Sequence, residues 1–537
     1  MPQTRIAGWP ARTVDRLQSK VVGLEPARNR YTVERGLEVP TRDGAVLVTD
    51  HYAPVGDALG TVLVRSPYGR GLPESLFHGR MLAGRGYHVV VQSVRGTGGS
   101  TGQFRPIAQE TADSQDAVAW LRAQPWFDGR LATLGGSYLG WTQWALLQDP
   151  PPELRACVIV VGPHDFARAV RGGGAVALAD FLGWSAAVGA QGAGGFRGLR
   201  EMVSARRRTA AALSRPSSAA DAAAAALDGR GAWFPEWLAH DDLRDPFWDP
   251  YRAGSVLAGV TVPTLLVGGW RDVFLEQTME QYFALSGHNP EVGLTVGPWT
   301  HLDTAVKSAK VADADALAWF DCHVGKTGAR RDSKVRIYVT GADEWRSLPS
   351  WPPKTAEWTL YPSADGSLPE TRGKGLVEFH YDPADPTPAV AGHHMSPGAG
   401  SVDNRKLEER VDVITFTSAP LPGDVEVFGP ARLHLALRDH HADNGIFVRV
   451  CDVDTRGRSW NISESFRRSD GGGAMVELDI ETSPCAHRFR AGHRIRIQVS
   501  GGAYPRYDRN PGAAGYLVDC DLSAIHLPIA GTAGMVN

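Results

Sequence analysis

LATLGGSYLGWTQWALL, residues Leu131–Leu147, sets Ser137 among Gly135, Gly136 and Gly140, between an apolar run and a helix-like run. A strand that turns at once through a serine into a helix is the nucleophile elbow of α/β-hydrolases. The turn strains the serine backbone, so small residues must flank it. The following helix aims its N–H groups and positive dipole end at developing negative charge. Here the later glycine falls three residues after the serine, not two, and a glycine-rich turn of any α/β domain remains the alternative.

The surrounding sequence supports an α/β sheet. Gly60–Ser66, Tyr87–Val94 and Leu131–Leu134 are short β-branched or apolar runs bounded by turn residues, and they read as buried strands. Thr111–Gln124 carries apolar residues at helical spacing. Such alternation predicts a mainly parallel sheet covered by helices. VTVPTLLVGGW, ending at Trp270, and EVGLTVGPW, ending at Trp299, resume the pattern. Between them Ala167 to about Pro250 is rich in Ala, Gly and Arg, and reads as a helical insertion over the sheet. Ala312–His323 predicts a closing helix. From Val335 onward short alternating runs (VRIYV, WTLYP, ARLHLAL, IFVRVCDV, RIRIQVS) predict an all-β sandwich or jelly roll. The expected division is α/β-hydrolase domain 1–165 and 251–334, helical cap 166–250, and C-terminal jelly-roll domain 335–537.

At 537 residues the chain exceeds one core. Its 56 basic and 59 acidic residues give a net charge of −3, which argues against a broad nucleic-acid or anionic-membrane surface. The densest basic run, Arg206-Arg207-Arg208, reads as a solvated helix face. Five scattered cysteines without a CxxC pair provide neither a disulfide framework nor a zinc pattern. The N-terminal MPQTRIAGWPARTVDRL lacks a signal-peptide core, and no run approaches a membrane span. A cytoplasmic enzyme without cofactor or metal is expected.

A serine needs a base, and the base needs an orienting acid. Asp272 follows the strand VPTLLVGGW, and His301 follows the next, in VGPWTH. Both stand where chain leaves the carboxyl edge of a parallel sheet. Singly, Asp272 could be a helix cap and His301 a loop histidine; the Ser–Asp–His order at three such edges favours catalysis. GTGGSTG at Gly96–Gly102 has neither a following Lys nor the GxGxxG spacing. It reads as a loop beside the site. His440-His441 with Asp443, and His393-His394, read as solvated loops, not metal ligands.

GGSYLG, GGWRDVF and GPWTH resemble the motifs of the CocE/NonD hydrolases. The resemblance runs from about Glu34 to the C-terminus, through SVRGTGGSTGQF, WLRAQPWFDGRLATLGGSY, LAWFDCHVG, HYDPADPTP, FGPARLHL and AGHRIRIQVSGGAYPRYDRNP. It implies Ser137 as nucleophile, Asp272 as acid and His301 as base. It also implies an oxyanion hole from the Tyr138 N–H and the Tyr68 hydroxyl. Tyr68, in RSPYGR, follows the early strand, in the region that completes such a hole in this fold; its alternative is a turn tyrosine packing beside Pro67. Tyr138 contributes its backbone, so Tyr138→Phe is expected to preserve the donor.

Phe166, Trp184, Trp233, Phe234, Trp237 and Phe274 are the candidates for an apolar pocket. The family's amino-ester hydrolases bind a substrate ammonium with acids just beyond the catalytic Asp, where this chain has Val273, Phe274 and Leu275. Glu276 is the only acid nearby. The expected function is therefore hydrolysis of an ester, or an amide, of a bulky, largely apolar small molecule through an acyl-enzyme. A biosynthetic acyltransferase or cyclase and an Xaa-Pro-type dipeptidyl peptidase are the alternatives. Partners beyond the small molecule are not expected, with a homodimer left open.

Overall fold

Six buried residues, Thr61–Ser66, form β4, the strand around which the first sheet is wound. The structure is a computed structural model that describes residues 3–6, 19–20, 23–191, 195–396, 398–439, 444–468 and 475–530. The sheet's other strands are β1 (Gln3–Ile6), β2 (Tyr31–Pro40), β3 (Val46–Pro54), β5 (His88–Ser93), β6 (Leu131–Gly136) and β7 (Leu154–Val160). They are followed by β8 (Thr264–Arg271), β9 (Val292–Thr300), β10 (Val335–Val339) and β11 (Glu344–Leu348). Their spatial order is β1-β2-β3-β5-β4-β6-β7-β8-β9-β10-β11. From β5 to β10 neighbours run parallel. Every residue of β4 and β8 is buried. That is the pattern of a sheet covered on both faces, where apolar runs need not alternate with polar residues.

The chain goes from β4 to β5 on one side, then crosses to β6 on the other. The winding therefore switches between β4 and β6, and open α/β sheets bind ligands at the carboxyl ends beside such a switch. Helices Glu110–Arg122, Tyr138–Leu146, Leu275–Ser286 and Ala309–Phe320 connect the strands.

Between β7 and β8 lies the helical insertion, with helices Phe166–Val170, Leu178–Gly189, Gly195–Leu213, Ala219–Leu227 and Trp233–Ala239. Its low-complexity alanines are structural: Ala222, Ala223 and Ala226 are buried on one helix face.

The C-terminal region is all antiparallel. A four-stranded sheet (Val413–Thr417, Gly445–Val453, Ser459–Arg468, Arg494–Ser500) faces a seven-stranded sheet built on Ala514–Ala530. Leu433, Leu435 and Leu437 from one sheet share a core with Val448, Val450, Ile495 and Ile497 from the other.

One expectation is corrected. VRIYV, read as the first strand of the β domain, is β10. It pairs parallel with β9, Val335 opposite Leu294 and Ile337 opposite Val296. Val335, Ile337 and Val339 have no accessible surface, so the catalytic sheet extends past residue 334.

Candidate active site

Ser137, Asp272 and His301 stand at the carboxyl ends of β6, β8 and β9, and their side chains meet. Ser137 has φ 57° and ψ −121°, a conformation that costs a non-glycine residue about 1–3 kcal/mol. The glycines let this strained turn pack. A Cβ on Gly135 would lie 2.3 Å from the Leu139 Cβ, and one on Gly140 2.5 Å from the Gly162 Cα.

The His301 Nε2 lies 3.0 Å from the Ser137 Oγ, and its Nδ1 lies 2.6 Å from the Asp272 Oδ1. The Phe274 N–H donates to the other carboxylate oxygen at 3.0 Å. Asp272 is thereby engaged on both oxygens and is 1% exposed. The Phe274 ring meets the imidazole edge-on, centroids 5.3 Å apart. With Nδ1–H donating to the carboxylate, Nε2 is the free acceptor for the serine proton.

Tyr68 reaches the same place from the end of β4. Its hydroxyl accepts the Trp184 Nε1–H at 3.2 Å. Burial pushes that hydroxyl up to about 12, with the neighbouring Trp184 and Ser137 side chains opposing the shift. It therefore stays a proton donor at neutral pH. Tyr138 is fixed by its own side chain. Its hydroxyl donates to Glu110 Oε1 at 2.7 Å and accepts the Ile107 N–H at 2.9 Å. Glu110 in turn pairs with Arg65 at 2.8 Å, both 2% exposed in their side chains. This buried chain joins the strand leading to Tyr68 with the residue that follows Ser137. Sequence reasoning missed Arg65 and Glu110, because nothing local marks a partner 28 residues away.

The six aromatic candidates separate. Phe234 and Trp237 have no accessible surface and Phe166 is 5% exposed. These three pack in the core of the insertion, and Phe274, 3% exposed, is buried against His301. Trp184 and Trp233 keep partial exposure. Phe104, unforeseen, packs edge-on against Trp233 at 5.3 Å and lies 6.1 Å from the Tyr138 ring.

His393 is buried, 3% exposed, not solvated as expected. Its N–H donates to Glu464 at 2.7 Å, and its Nδ1 lies 3.1 Å from the Ser483 hydroxyl. It lines a polar cavity of about 160 Å³ behind Asp272, with Asp180, Glu276, Arg506 and Tyr507. Burial pushes Asp180 up to about 6. Glu464 feels the same burial, yet Arg449 and Arg506 hold it well below the usual carboxylate range. His440, His441 and Asp443 lie outside the described residues. Among the described residues no group of three His, Cys, Asp or Glu is placed to hold a metal, and no helix is long and apolar enough to cross a membrane.

A serine elbow on the switch point of a mostly parallel sheet defines the α/β-hydrolase fold, and this chain is a serine hydrolase. Residues 43–303 match the model of the X-Pro dipeptidyl-peptidase (S15 family), and 327–530 match that of the X-Pro dipeptidyl-peptidase C-terminal non-catalytic domain. The chain is 29% identical to the cocaine esterase of Rhodococcus sp. (strain MB1 Bresler) over 553 residues, 91% of this chain and 94% of that one. Two solved structures share the fold. One is an α-amino acid ester hydrolase, 22% identical, TM-score 0.79, covering 93% of this chain and 97% of that one. The other is a CocE/NonD family hydrolase from Staphylococcus aureus, 18% identical, TM-score 0.71, covering 93% and 94%. Both matched models come from the X-Pro dipeptidyl-peptidase family, and over nearly its whole length the chain is similar to serine esterases of the cocaine esterase kind.

Proposed function

We propose that this chain hydrolyses carboxylic esters of bulky, largely apolar small molecules through an acyl-enzyme on Ser137. Ser137 Oγ attacks the ester carbonyl while His301 Nε2 takes its proton. Asp272 holds the imidazolium, and the Tyr68 hydroxyl with the Tyr138 N–H binds the oxyanion. The tetrahedral intermediate collapses by breaking the C–O bond, and His301 returns the proton to the departing alcohol. Water, deprotonated by His301, then attacks the acyl-enzyme and releases the acid.

The observation that carries this reading is the unbroken Ser137–His301–Asp272 chain at 3.0 and 2.6 Å. The substrate class rests on what surrounds it. Phe274 lies against His301, and Trp184 and Trp233 are partly exposed aromatics of the insertion. Glu276, the nearest acid in sequence, accepts from the Ser483 hydroxyl at 2.9 Å and faces the polar cavity behind Asp272. All five cysteines are unpaired, which suits a reducing compartment, and a cytoplasmic location is part of this reading.

The test is labelling with a fluorophosphonate, followed by p-nitrophenyl esters of graded acyl size beside the matching anilides. Ser137→Ala should lose the label and about 10⁴–10⁶ in kcat while staying folded. A mutant keeping more than about a tenth of the activity would overturn the assignment.

A further inference from the structure

We propose that Trp184 is a positioning residue of the oxyanion site: its indole N–H holds the Tyr68 hydroxyl so that the phenolic proton points at the reacting carbonyl. This rests on the reading of Tyr68 as an oxyanion donor. The helical insertion then belongs to the catalytic apparatus and is more than a cover.

The direction of the hydrogen bond is set by chemistry. An indole nitrogen only donates, whereas a phenol carries one proton and two acceptor lone pairs. At 3.2 Å the Trp184 Nε1–H therefore occupies a lone pair of Tyr68 Oη and leaves the single proton free to donate to a substrate oxygen. A hydroxyl that accepts one hydrogen bond is polarised and donates more strongly in the next, and this gain is largest where water is excluded. The effect should grow as charge develops on the substrate oxygen.

The same side chain reaches the other proposed donor. The indole stacks on the Tyr138 ring, centroids 6.1 Å apart and planes 16° apart. Trp184 is itself braced from behind. Trp237 stacks on it at 6.3 Å and 20°, Phe166 meets it edge-on at 6.4 Å, and the Trp233 Nε1–H ties down its neighbour Ser185 at 2.9 Å. A side chain held this way keeps its N–H aimed without a further entropy cost. A simple pocket wall needs only bulk. What distinguishes Trp184 is a directed N–H on a catalytic hydroxyl.

A double-mutant cycle with Trp184→Phe and Tyr68→Phe tests this, reading kcat and KM for p-nitrophenyl butyrate. Trp184→Phe should lower kcat about 3- to 10-fold, with KM nearly unchanged. Tyr68→Phe should lower kcat about 10²–10³-fold. When Tyr68→Phe is already in place, the Trp184 substitution should cost nothing further, because the hydroxyl it positions is gone. If Trp184→Phe costs the same factor in both backgrounds, or nothing in either, Trp184 only packs and the inference fails. If Tyr68→Phe keeps normal kcat, the oxyanion reading itself fails, and the inference with it. Should Trp184→Phe disturb folding, benzothienylalanine at position 184 replaces N–H by sulfur in a ring of the same shape and must give the same cycle.

Discussion

Gly140 and Gly162 face each other so closely that a Cβ on either would lie 2.5 or 2.7 Å from the other's Cα. This contact seats the first turn of the elbow helix on the end of β7 and fixes the backbone that carries Ser137 and Tyr138. Gly140→Ala should push the helix outward. The expected destabilisation is about 1–3 kcal/mol, and kcat should fall up to about 10²-fold from the displaced serine. Gly183, in the insertion helix with open space around it, is the control; Gly183→Ala should hold or raise Tm. Thermal unfolding and ester hydrolysis measured together decide the matter, and a fully active, equally stable Gly140→Ala would refute it.

Asp272→Asn should leave the fold intact and cost about 10⁴ in kcat. The carboxylate accepts on both oxygens, from His301 and from the Phe274 N–H. An amide can satisfy Phe274 with its oxygen only by turning its NH₂ toward His301. That forces the tautomer in which Nε2 carries the proton and can no longer accept from Ser137. Slower fluorophosphonate labelling should accompany the lost turnover, and a rate within about tenfold of normal would place the acid elsewhere.

Tyr138→Phe is not the neutral control that the sequence alone suggests. Its hydroxyl satisfies buried Glu110 and the Ile107 N–H at once. Removing it leaves the Ile107 N–H and Glu110 Oε1 without that partner, while Glu110 keeps its pair with Arg65, and should cost about 1–3 kcal/mol. Tyr68→Phe should show the reverse signature, with Tm close to normal and kcat sharply reduced. Calorimetry beside kinetics separates the two; equal Tm losses in both variants would contradict this division.

Acid should destabilise the protein through histidines buried in their neutral form. Burial lowers His393 and His51 to about 3. The unfolded chain takes up these protons below about 6.5, whereas the native state does not until near 3. Their contribution is therefore complete above about 6.5 and fades by about 1.4 kcal/mol per pH unit for each group below that. Asp180, raised to about 6, acts in the opposite sense as its charge disappears on acidification. Guanidinium unfolding compared between mildly alkaline and mildly acidic buffers should show a shallower acid loss in His393→Gln than in the native protein. Parallel curves would mean that His393 ionises freely.

Legibility followed the range of the signals. The elbow, the strand ends bearing Asp272 and His301, and the alanine-rich insertion announce themselves in contiguous residues, since turn chemistry and periodicity are local. VRIYV misleads because its burial alternates, as in an edge or antiparallel strand, and only its partner β9 shows which sheet it joins. His393 lies in polar sequence, and its burial exists only where three parts of the chain converge. Glu110, Trp184 and Phe104 act through partners far along the chain, which no window reveals. The aromatics Phe166, Phe234 and Trp237 carry a last lesson: they are buried in the insertion, and composition alone does not separate core from pocket wall.

The insertion also sets a clock on synthesis. β7 ends at Val160 and its partner β8 begins at Thr264, so about a hundred residues separate them. At a ribosomal pace of about 5–20 residues per second, the far edge of β7 waits roughly 5–20 s for its neighbour. During that interval the nascent chain shows an unpaired apolar edge, the kind of surface that recruits stray strands. The alanine-rich helices made in the meantime rely on local contacts and fold quickly. The yield of intact enzyme should therefore depend on elongation rate and on chaperones acting while β7 waits.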